Sequence, residues 1–157
     1  MKTTAEMIKC LTGRDNTLAY DCFKRLIGLS ETSNEVYANF GAFVEMMESD
    51  NSYIRTRGLL LIAANARWDE DCRVDEIIDA YLKHLQDAKP ITARQCIQAV
   101  PQIAKAKPDL RRDVVLALRQ VNPLRYQSSM QPLIRRDVAA ALEQIREMKT
   151  GESAQQG

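Results

Sequence analysis

Four cysteines and a single histidine carry most of the nucleophilic and metal-binding chemistry open to this chain. Cys10, Cys22, Cys72 and Cys96 lie 12, 50 and 24 residues apart. None forms a C-x-x-C pair, and the spacings fit no zinc ribbon, zinc finger or iron–sulfur pattern. Cys22 and Cys96 fall among helical apolar positions, where a free thiol acts as a small hydrophobe. His84 is the only histidine. It cannot build a His-rich metal site, and any Ser–His or Cys–His pair would have to use it. It falls on the polar side of the Tyr81-Leu82-Leu85 stripe near a helix C-terminus, where an imidazole is favourable on electrostatic grounds alone. The sequence contains no P-loop, G-x-S-x-G, H-E-x-x-H or G-x-G-x-x-G. The expectation is therefore no catalytic residue, no metal ligand set, no cofactor and no enzyme activity.

The arginines offer a second kind of chemistry. Arg57, Arg94 and Arg136 recur in register. They read either as a basic ladder for phosphates or, preferably, as partners of turn aspartates such as Asp50 and Asp87. Arg111-Arg112-Asp113 recurs as Arg135-Arg136-Asp137. Two arginines near a helix start oppose the helix dipole, which makes Arg111, Arg135 and Arg136 candidate anion contacts. Trp68-Asp69-Glu70-Asp71 forms an acidic turn that lacks the alternating ligands and central glycine of a calcium loop. Trp68 is expected to pack over a helix-hairpin end.

Composition bounds the rest. Of 157 residues, 45% are apolar and 27% charged, the balance of a globular domain. The net charge of +1 gives no global field toward nucleic acid or membrane. Charge is distributed unevenly, at −3 over residues 1–50, 0 over 51–100 and +4 over 101–157. The opening residues read as lacking a signal peptide, and no apolar run reaches the roughly 20 residues of a membrane span. With its unpaired cysteines, the chain reads as cytoplasmic.

These residues must be positioned by helices. Apolar residues follow a period near 3.6 throughout. Helices are expected over about 4–12, 17–29 (Leu18, Cys22, Leu26 and Leu29 inward), and from a Thr32–Glu35 capping box to about 48. Others follow over about 52–66, 73–86, and from Asp87-Pro90 to 105, the last kinked at Pro101. The remaining two run over about 108–121 and from Ser128 or Ser129 to 149, the last with Leu133, Val138, Leu142, Ile145 and Met148 inward. Leu59 to Ala64 is apolar on all sides, as in a helix buried on both flanks. The small polar residues 150–157 read as a disordered tail.

The chain also resembles itself. Asp50-Asn51-Ser52-Tyr53-Ile54-Arg55-Thr56-Arg57 aligns with Asp87-Ala88-Lys89-Pro90-Ile91-Thr92-Ala93-Arg94 at an offset of 37, and Pro90-Ile91 and Arg94 match Pro132-Leu133 and Arg136 at an offset of 42. A period near 40 built of helices marks a stacked helix-pair array. Asp50-x-x-x-Ile54-Arg55 resembles the HEAT-repeat pattern, in which a turn Asp precedes a β-branched residue and an Arg on the first helix of a pair. Asp87-x-x-x-Ile91 with Arg94 repeats it, with Thr92 where Arg55 stands. The Pro101 position suits that family. The resemblance covers about 50–121, extends to 149 and is weak before 33.

It implies an all-α fold, a right-handed α-α superhelix (HEAT-like solenoid) of seven or eight helices, with residues 1–149 as one domain. It further implies a non-enzymatic protein–protein interaction or scaffold module acting as a monomer. The second helices, 73–86 and 108–121, would line the concave face, so Asp75, Asp79, Lys83, Arg112 and Arg119 are the expected partner surface. The same broad family includes alkylpurine DNA glycosylases, so a DNA-binding or glycosylase-like protein is the alternative. Against it stand the net charge and the lack of aromatic residues interleaved with the arginines.

Overall fold

Short polar side chains open the first helices. In the computed structural model, which describes residues 2–156 and side chains from 2 to 148, Thr3 accepts the amide of Glu6 ahead of α1 (Thr4–Cys10). Asp15 accepts that of Leu18 ahead of α2 (Asn16–Ser30). Asn51 accepts two amides, from Tyr53 and Ile54, at the start of α4 (Ser52–Asn65). Each satisfies backbone donors that have no partner inside the helix. The Thr32–Glu35 box does not form. Ser33 takes the Glu35 amide and the Glu35 carboxylate accepts the Thr4 hydroxyl at 2.6 Å. The chain instead enters α3 (Phe40–Met47) through a 3-10 turn at Tyr37–Asn39.

Four more helices follow: α5 (Arg73–Lys83), α6 (Pro90–Ala106), α7 (Arg111–Arg119) and α8 (Gln131–Gln156). Among the described residues the fold is eight α-helices and five short 3-10 turns with no strand, the all-α class that the periodicity predicts. The chain divides into two compact units, Met1–Val74 and Asp75–Gly157. The backbone is helical as far as Gln156, past the boundary near 149; the side chains of the expected tail lie outside the described residues.

In the first unit α3 packs on α4, α1 on α2, and α2 on α4. Leu59, Leu61, Ile62 and Ala63 of α4 are all buried, as a helix apolar on every side requires. The α3–α4 approach is so close that a Cβ on Gly58 would lie 2.7 Å from the Phe43 carbonyl oxygen and 2.8 Å from the Met47 nitrogen. In the second unit α6 packs on both α7 and α8, and α7 on α8. Ala93, Ile97, Val100, Ile103 and Ala104 supply the buried face of α6. Pro101, also buried, sits inside it without ending it.

Two stripes depart from the expected phase. In α2 the buried set is Ala19, Cys22, Leu26 and Ser30, whereas Leu18 is exposed. In α8 the buried set is Ile134, Asp137, Ala141 and Ile145, so Leu133, Val138 and Leu142 are only half-buried. A helix this rich in apolar residues carries two overlapping stripes, and its neighbours decide which one is covered.

Candidate functional site

Most of the polar side chains with chemical potential are spent on the ends of helices. The Arg57 guanidinium is buried and donates to the Leu11 carbonyl at 2.8 Å, capping the C-terminus of α1. Burial pushes its pKa below the usual arginine value. The Trp68 indole donates to the Ser30 carbonyl at 2.7 Å at the end of α2, with Arg67 stacked over its ring. Trp68 thus closes the C-terminal end of α2. The Asp69 carboxylate accepts the amides of Arg73 and Val74 at the start of α5 and the Tyr37 hydroxyl at 2.6 Å. Burial, then the bond to Asp69, pushes the Tyr37 phenol well above its ordinary value. Asp87 accepts the Lys89 amide, and one of its carboxylate oxygens lies 3.1 Å from His84 Nδ1.

The in-register arginines do not share a role, and the expected pairing with turn aspartates is not what forms. Arg57 holds a carbonyl. Arg94 Nε donates to the Asp137 carboxylate of α8 at 2.7 Å, and that bond raises its pKa. Arg136 is exposed. Asp87 is already engaged by its own turn, and Asp50 is exposed.

The repeated triplets also diverge. Arg111 is only 4% exposed and its Nε donates to the Ala104 carbonyl at 2.7 Å. This corrects its assignment as an anion contact, because the guanidinium closes the last turn of α6. Arg135 and Arg136 remain exposed while Asp137 is buried. The first triplet opens α7 and reaches back to α6, whereas the second lies one turn inside α8, where the third residue faces α6. Cys96 is fully buried and takes a hydrogen bond from the Tyr81 phenol; burial holds its thiol well above the ordinary value, which disfavours the nucleophilic thiolate. Among the described residues no group of three or more His, Cys, Asp or Glu side chains could hold a metal ion.

The expected partner residues are all in the second unit, where Asp79 and Lys83 line one furrow, Arg119 lines another, and Asp75 and Arg112 line neither. Asp79, Lys83, Leu82 and Gln86 of the α5 side face Ala117 and Gln120 of α7 across a shallow furrow of about 220 Å³. Arg119 lies instead on the opposite flank of α7. There, with Val115, it faces Ala139, Leu142, Glu143, Ile145 and Arg146 of α8 across a furrow of about 360 Å³. Arg112 is exposed, two turns before Arg119. Asp75 is engaged with Lys107 Nζ at 3.3 Å. The furrow residues that sequence reading missed are Val115, Ala139, Leu142 and Arg146. Of these only Leu142 carried a signal, as a member of the α8 stripe expected to face inward.

No protein family, characterised protein or solved structure matches the chain. No helix among the described residues is long and apolar enough to cross a membrane.

Proposed function

We propose that this chain is a non-enzymatic helical-repeat module of the HEAT type, which binds another protein in the cytoplasm through the second unit. The observation that carries this reading is the division of labour among polar groups. Arg57, Trp68, Asp69, Asp87 and Arg111 hold backbone groups at or near helix ends. The exposed charges Asp79, Lys83, Arg112 and Arg119 lie on or beside shallow open furrows. Side chains fixed by the fold are not available to move protons, and mixed charges beside furrows are what a protein partner reads. The starts of α4, α6 and α8 at Ser52, Pro90 and Gln131 recur at a spacing near 40, which supports the repeat.

The test is reconstitution. A protein that co-purifies with the tagged full chain is made separately, and its affinity is measured against wild type, Asp79→Lys and Arg119→Glu. The reading expects a defined complex weakened by at least one substitution. Tight duplex-DNA binding that collapses with salt, and is lost in Arg112→Glu/Arg135→Glu, transfers the reading to nucleic acid.

A further inference from the structure

We propose that the furrow between α7 and α8 is a docking groove for a short amphipathic helix of another protein, one whose apolar stripe is flanked by Asp and Glu. This rests on the interaction-module reading and names its site and the partner's chemistry.

The floor is apolar and only partly covered. Val115, Ala139 and Leu142 line it, and none of them is buried. Leu142 belongs by spacing to an inward stripe, yet Ile134, Ala141 and Ile145 take the core positions. The fold therefore leaves a line of methyl groups on α8 that its own helices cover only in part. At about 360 Å³, near the lower end of the range for ligand pockets, the furrow has room for a few apolar anchors.

The rim is basic. Arg112 and Arg119 share one face of α7 with Val115, at i, i+7 and i+3. Arg135 and Arg146 share one face of α8 with Ala139 and Leu142, at i, i+11, i+4 and i+7. Glu143 and Arg146, which both line the furrow, pair at 2.6 Å, so the excess positive charge comes from Arg112, Arg119 and Arg135. Arg112 and Arg119 rise about 10 Å apart along the helix, two turns, which matches carboxylates two turns apart on a helical ligand. Helix-in-groove recognition uses this combination of apolar anchors at i, i+3, i+4 and i+7 with charges at the edge. A nucleic-acid strand is the poorer occupant, because no aromatic side chain lines the furrow to stack a base.

The experiment uses the full chain and four labelled probes in fluorescence anisotropy at about 0.15 M salt, where exposed charges more than about 8 Å apart are screened. The probes are a helical peptide with leucines at those positions and glutamates beside them, the same peptide with lysine for every glutamate, a scrambled peptide, and a DNA duplex. The glutamate peptide is expected to bind saturably and at least about tenfold more tightly than the other three. Arg119→Glu should weaken it and strengthen the lysine peptide, while Leu142→Gln weakens both. Neither position is buried, and circular dichroism verifies that both variants fold. Equal binding of the two charged peptides, indifference to Arg119→Glu, preference for the duplex, or self-association that Leu142→Gln abolishes would each overturn the proposal. If the glutamate peptide fails while a reconstituted complex survives Arg119→Glu and is lost in Asp79→Lys, the groove is refuted and the module reading stands.

Discussion

Arg111 and Arg112 are adjacent, identical in type and alike to any reading of the sequence, yet their substitution should have different consequences. Arg111→Ala removes the Nε–H that closes the Ala104 carbonyl at 2.7 Å. Ala104 is fully buried, so water has no easy route to replace the donor. An orphaned buried acceptor costs about 1–3 kcal/mol, and a hydrogen bond from a charged donor is itself worth about 1.5–3 kcal/mol. These overlap and are not summed. Loss of the packed aliphatic stem adds to the cost, and release of a buried charge back to water offsets part of it. The expected net loss is about 2–3 kcal/mol. Arg112→Ala, at an exposed site, should stay within about 0.5 kcal/mol of wild type. The assay is urea unfolding followed by far-UV circular dichroism. With a slope of about 2 kcal/mol per molar, Arg111→Ala should lower the midpoint by about 1 M. Arg111→Lys should recover only part of the loss, since an ammonium cannot present the guanidinium's flat fork. Equal midpoints for Arg111→Ala and Arg112→Ala would refute the assignment of Arg111 as the cap of α6.

Two of the helical glycines, Gly28 and Gly58, should respond with opposite signs. Gly58→Ala places a methyl against the backbone of α3 and should cost about 1–3 kcal/mol, whereas Gly28→Ala meets open space and should gain up to about 1 kcal/mol; thermal melts of both variants decide it. Cys72, at φ 58°, holds the left-handed conformation that disfavours a side chain. Cys72→Gly should therefore stabilise by about 1 kcal/mol in the same melts, and a loss of stability would contradict it. Burial chiefly raises the pKa values of Cys22, Tyr37, Tyr81, Cys96 and Tyr126. Folding therefore favours their protonated forms, and their contribution is complete below the unfolded values and declines as pH rises past about 9–10. Urea midpoints between about pH 7 and pH 11 should fall on the alkaline side, and a flat profile would refute this.

The sequence by itself determined what depends on a few neighbouring residues. The 3.6-residue rhythm required helices, and Thr3, Asp15 and Asn51 started three of them, because a cap needs only a side-chain oxygen and amides two or three residues on. A helix apolar on every side, such as Leu59 to Ala64, had to bury most of its surface whatever its neighbours, and only Leu60 and Ala64 stay half-buried. Tertiary structure alone decided the phase of α2 and α8, since each carries two overlapping apolar stripes and only packing covers one of them. It also decided which arginine faces inward. Arg57 reaches a carbonyl 46 residues away and Arg94 a carboxylate 43 residues away, and no local pattern encodes partners at such separations. The same physics separated the expected partner residues. Asp79 and Arg119 both lie outside the core stripes, but α7 presents one flank to α5 and the other to α8, so the single face inferred from spacing became two furrows.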